Sequence, residues 1–76
     1  MLVLASFVAA SGSTATLQRF SPADAGFTPA RRFVVRYEGT GWWAEEAFED
    51  IGPAESEFNR AVAHQRAADA REAETR

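Results

Sequence analysis

Residues 2–10 form a nearly continuous apolar run containing Val and Phe, closed by Ser11-Gly12-Ser13. A short run bounded by turn formers predicts a buried β-strand, with a buried helix as the alternative. Residues 14–20 are half polar and predict a second strand, with Ser11-Gly12-Ser13 as the hairpin loop between the two. Arg32 to Glu38 alternates most clearly. Phe33, Val35 and Tyr37 share one face, while Arg32, Val34, Arg36 and Glu38 share the other, the period of a strand. Between these strands, Ser21-Pro22-Ala23-Asp24-Ala25-Gly26 presses helix-start and helix-stop signals together. It predicts at most one helical turn, then a loop through Thr28-Pro29.

Residues 42–51 admit two readings. As a strand they pair with 32–38 through a Gly39-Thr40-Gly41 loop, whose glycines permit the positive φ of a tight hairpin. As a helix they place Ala44, Ala47, Phe48 and Ile51 at i, i+3, i+4 and i+7. The hairpin is preferred, because two aromatics after a glycine-bracketed turn suit a cross-strand platform. Gly52-Pro53 then opens a helix over 53–70, with Glu55 and Glu57 at its positive end and Phe58, Ala61, Val62 and Gln65 on its inner face. No large apolar residue follows Val62. Residues 66–76 are therefore expected to fray, with only pairs such as Glu72 and Arg76 supporting them.

These elements predict one small α+β domain over 1–76. It would have an antiparallel sheet of three or four strands and one main C-terminal helix packed on a face. A chain of 76 residues buries a modest share of its surface. It has no Cys, so neither disulfides nor a cysteine zinc site can staple it, and one His excludes a multi-histidine metal site. Six Phe, two Trp and one Tyr are a generous aromatic allotment, enough for a core and a contact surface.

The start of the chain superficially resembles a secretory signal, since Val8-x-Ala10 fits a small-residue cleavage pattern. No Lys or Arg precedes the apolar run, however, and a buried strand in a cytoplasmic protein is the expectation. The run is about half the ~20 residues that a membrane-spanning helix needs. The absence of Lys beside abundant Ala and Arg reads as GC-rich coding, which suggests a high-GC bacterium or its phage.

Charge divides the chain more sharply than its net value of −3 implies. Residues 1–36 carry +3, residues 37–59 carry −7 with no Lys or Arg, and residues 60–76 carry +1. The central block attracts a basic partner and repels a phosphate backbone. Trp42 and Trp43 sit inside it. Adjacent residues on a strand face opposite ways, so one of the two is expected to reach solvent or a partner.

No catalytic pattern is evident. His64 is the only imidazole, it lies on an Ala-rich helix near Arg60 and Arg66, and a solvated helix histidine is the expectation. Nucleophile-elbow, phosphate-loop and zinc-protease motifs are missing, so the chain is not expected to be an enzyme or to hold a cofactor. Glu45-Glu46-x-x-Glu49-Asp50 would gather carboxylates if helical, but it lacks the spacing and glycine of a calcium loop; a solvated acidic face is expected, without metal. Arg31, Arg32 and Arg36 interleave with Phe33 and Tyr37, as on sheets that stack single-stranded bases. The neighbouring acids oppose that use, and direct nucleic-acid binding is the weaker expectation.

The order strand, turn, strand, then a helix opening Pro53-Ala54-Glu55-x-Glu57-Phe58-x-x-Ala61 resembles a pattern shared by small phage and mobile-element proteins. These include anti-CRISPR inhibitors and the antitoxins of toxin–antitoxin pairs. The resemblance covers residues 32–62, and the proline-rich turn of the antitoxins is missing. The acidic block with its two Trp leads to the expectation of a non-enzymatic binding protein, in its concrete version an inhibitor of phage or mobile-element origin. Trp42, Trp43, Glu45, Glu46, Glu49 and Asp50 are the expected partner-binding residues, set against the basic groove of a larger nucleic-acid-handling protein. The alternative is an accessory subunit of a multiprotein assembly, docking through residues 2–10 and the C-terminal tail.

Overall fold

The computed structural model describes residues 1–75. Four strands, β1 (Leu2–Val8), β2 (Thr14–Arg19), β3 (Phe33–Gly39) and β4 (Trp42–Phe48), form one antiparallel sheet in the order β1-β2-β3-β4. A 3-10 turn spans Pro29–Arg31, and one helix, α1, spans Ile51–Glu74. The α+β expectation holds, with four strands. Residues 42–48 take the strand reading, not the helical one.

The core lies between α1 and the sheet. Ala54, Phe58 and Val62 recur every four residues on one helix face and bury against Ala15, Leu17 and Val35, which lie on the sheet face beneath. Phe7, Phe33, Tyr37 and Phe48 pack around this centre half-buried. The helix therefore rests on three residues at i, i+4 and i+8, and Ala61 and Gln65, expected on its inner face, are only half-buried beside them.

The opposite sheet face is only partly covered. The 3-10 turn lies against β4, and the Arg31 guanidinium reaches Glu45 there. On this face Val34 is completely buried and Gln18 nearly so, with the Gln18 amide donating to the Thr16 hydroxyl at 3.0 Å. The single helical turn lies at Pro29–Arg31 and not at 21–26. Asp24 accepts the Ser21 N–H at 2.7 Å and the Ser21 hydroxyl at 3.1 Å, which holds 21–26 in turns, and Pro29 then starts the helical turn.

The expectation of a buried first strand is corrected. Leu2, Val3, Leu4 and Val8 are exposed, because β1 is an edge strand and the core of α1 lies over β2, β3 and β4. Its pairing with β2 shifts by one residue between Val3 and Ala5, a β-bulge.

Helix α1 is longer than the 53–70 expected. At 24 residues and about 1.5 Å of rise each it runs roughly 36 Å, so it outreaches the sheet and stretches the molecule to 47 × 26 × 15 Å. Beyond Val62 it is held by Arg66 over the Phe7 ring (5.4 Å to the centroid) and by Asp69, which accepts the Ala10 N–H at 3.1 Å. Residues 70–74 are helical and exposed. The Glu72–Arg76 pair lies outside the described residues. Among the described residues no helix is long and apolar enough to cross a membrane.

Candidate functional site

The six residues singled out in the sequence occupy one edge of the sheet. Trp42, Trp43, Glu45 and Glu46 belong to β4, the edge strand opposite β1, and Glu49 and Asp50 form the turn into α1. A strand of seven residues spans about 20 Å, so the two Trp stand at one end of a stripe and Glu49 and Asp50 at the other. Strand alternation splits the set across two faces. Trp42 and Glu46 share the helix side with Ala44 and Phe48, while Trp43 and Glu45 lie on the opposite side.

Both tryptophans are open to solvent, Trp42 at 50% exposure and Trp43 at 61%. Neither belongs to the core. Trp43 lies under the Arg36 guanidinium, 4.5 Å from ring centroid to the guanidinium carbon. Trp42 lies on Gly39, its cross-strand partner, and the hairpin closes through Thr40-Gly41 with Gly41 at φ 77. Only glycine accepts the ring so close: a methyl on Gly39 would come within 2.8 Å of Trp42 Cζ2 and closer still to Nε1. The loop is thus two residues, one shorter than the Gly39-Thr40-Gly41 expectation, which is what sets Gly39 against Trp42.

The carboxylates differ in state. Glu45 is engaged by two cations, Arg36 Nη1 at 3.2 Å and Arg31 Nη2 at 3.5 Å. Arg36 also donates to Glu38, so Arg31 and Arg36 spend their charge on the protein's own acids. Contact with Glu38 and then Glu45 raises the Arg36 pKa. Glu49, Asp50 and Glu55 are exposed and make no ion pair among the described residues. Strand geometry places Glu45 and Glu46 on opposite faces, and the helical carboxylate cluster considered for a cation does not form. Among the described residues no three His, Cys, Asp or Glu side chains converge as metal ligands.

Beside Trp42 a groove of about 440 Å³ opens between the sheet and α1, with Phe7, Ala15 and Tyr37 on the sheet side and Glu57, Ala61 and His64 on the helix side. Tyr37 donates its hydroxyl to Glu57 Oε1 at 3.0 Å, and Arg60 Nε donates to Glu57 Oε2 at 3.0 Å. The Arg60 bond is the main cause that lowers the Glu57 pKa, helped by the Tyr37 hydroxyl. Burial, and then the Glu57 carboxylate, push the Tyr37 phenol up to about 12. His64 is exposed on the groove rim. The i, i+3 spacing of Glu57 and Arg60 is visible in the sequence, but their link to Tyr37 needs the sheet register and was not legible there.

The arrangement offers an acidic edge with unpaired backbone groups, two accessible indoles at one end and free carboxylates at the other. Comparison with known proteins adds no relative: neither a family model, nor a curated protein, nor a solved structure matches the chain.

Proposed function

We propose that the protein is a non-enzymatic binding protein whose β4 edge docks onto a basic surface of a larger protein. The two accessible indoles on an edge strand that ends in unpaired carboxylates carry this reading. Trp is a preferred anchor at interfaces because it buries a large rigid area, and free carboxylates steer an Arg- or Lys-rich partner toward it. An edge strand also presents backbone donors and acceptors to an extended segment of that partner. The basic partner surfaces that fit best are those built for nucleic acid, which makes an inhibitor of a nucleic-acid-handling machine, of phage or mobile-element origin, the concrete version. Trp42, Trp43, Glu46, Glu49 and Asp50 make the contact; Glu45 holds Arg31 and Arg36 in place.

The test is a tryptophan-fluorescence titration with protamine as an arginine-rich probe and a single-stranded oligonucleotide as its opposite. Saturable change with protamine, weakened by salt and by Glu49→Lys with Asp50→Lys, supports the reading. Binding of the oligonucleotide but not of protamine would favour the Arg31, Arg32 and Arg36 side and overturn it. The exposed apolar β1 edge favours a second reading, an accessory subunit that docks through residues 2–10.

A further inference from the structure

The two edges of this sheet are chemically unlike. The β4 edge carries Glu45 and Glu46 and runs into Glu49 and Asp50, and charged residues on an edge strand oppose pairing with another copy. The β1 edge has no such guard. From Leu2 to Gln18 the chain has no charged residue and no Pro, and Leu2, Val3, Leu4 and Val8 are exposed along β1. A bulge interrupts only its first half, leaving Ala5 to Val8 regular.

The direction of the backbone groups follows from the hairpin. The Ala9 N–H donates to the Ser13 carbonyl at 2.8 Å, so Ala9 faces β2. Antiparallel bonding alternates along a strand, and the peptide groups of Phe7 and Ala5 therefore also face β2, while those of Ser6 and Val8 face outward. Their side chains lie on the side of the sheet away from α1, paired with Thr16 and Thr14.

We infer that β1 is the interface of a two-fold homodimer, in which two β1 strands pair antiparallel and join two four-stranded sheets into one of eight. A second copy is the occupant because the edge is its own complement. An antiparallel edge related by a two-fold axis offers donors to acceptors in both directions, and an uncharged strand meets itself without like-charge repulsion. The outward groups of Ser6 pair with those of Val8 of the second copy when the axis passes Phe7. Both helices then lie on one face of the joined sheet, and both acidic β4 edges stay at its outer rims. Dimerisation and the docking role of β4 are independent of each other.

Sedimentation velocity over a concentration series, with amide hydrogen exchange on the intact chain, tests this. The expected result is a reversible dimer of twice the chain mass whose Ser6 and Val8 amides gain protection as concentration rises. Ser6→Lys with Val8→Lys, both at exposed positions that face each other across the axis, is expected to weaken the dimer about tenfold or more, or roughly 1.4 kcal/mol, while the chain stays folded. A monomer at the highest attainable concentration would overturn the inference and leave β1 for a different chain. So would a dimer whose Ser6 and Val8 amides stay unprotected, or growth beyond the dimer, which would mark β1 pairing head-to-tail with β4. If the double-lysine chain does not fold, the exchange pattern of the unaltered protein decides alone.

Discussion

The Trp42 indole lies directly on Gly39, its neighbour across the β3–β4 ladder, in space that any Cβ at Gly39 would occupy. Glycine weakens a strand, and an aromatic ring laid over it from the opposite strand restores some of the lost packing. The contact also fixes Trp42 as the wall of the groove beside α1. Gly39→Ala is therefore expected to expel the indole. Acrylamide quenching of tryptophan fluorescence should rise relative to the unaltered protein, and unchanged quenching would show that the ring does not rest there.

On the other face Trp43 depends on Arg36. The guanidinium covers the ring and joins it to Glu38 and Glu45. Both partners are partly exposed and solvent screens the contact, so Arg36→Ala should leave the urea midpoint nearly unchanged. The same variant should free the Trp43 ring and leave Glu45 to Arg31 alone. A large drop in the urea midpoint would mean that Arg36 has a structural role beyond this shelf.

The Tyr37–Glu57–Arg60 group makes stability depend on pH at both ends. The Tyr37 phenol titrates at about 12 when folded and near 10 when unfolded, so its contribution is complete below 10 and fades between 10 and about 12. The Glu57 pKa is lowered by folding, so its contribution is present above the ordinary value of 4.5 and fades as pH falls through the depressed value. Tyr37 is the only tyrosine, and phenolate absorbance reports it alone. Tyr37→Phe should remove the alkaline fall in stability, and a tyrosine titrating near 10 in the folded protein would contradict the arrangement.

Phe58 is the largest side chain that α1 buries. Phe58→Ala should cost about 3–5 kcal/mol, a large share of what a domain of this size possesses. Loss of the cooperative thermal transition is the expected outcome. A shift of only a few degrees would place the core elsewhere.

Local pattern was enough for the fold wherever one face of an element is buried. Phe33, Val35 and Tyr37 revealed β3 by alternation, and Phe58 and Val62 revealed the buried face of α1 by helical spacing. The β1 strand was legible as a strand, yet its burial was not, because an apolar run reads alike at the centre and at the edge of a sheet. Strand order decides that, and order is a long-range property. The Ser21–Gly26 signals stop at a single turn, closed by the Asp24 N–H on the Ser21 carbonyl and ended by Gly26 at φ 78, while the 3-10 turn at Pro29–Arg31 falls where a loop is expected. For the candidate site, the adjacent tryptophans and the acids were visible, while the division into Glu45 held by two arginines and free Glu49, Asp50 and Glu55 required the register. Gly39 reads as a turn former, and its second role as the seat of Trp42 follows only from a loop two residues long.

On the proposed function the β4 edge, and no other surface, receives a basic partner. Amide and indole chemical shifts mapped during titration of the intact protein with protamine test it most directly. Changes are expected only at Trp42–Asp50 and both indole N–H signals, with β1 unmoved. Changes centred on Arg31, Arg32 and Arg36 or on β1, or none at all, would contradict it.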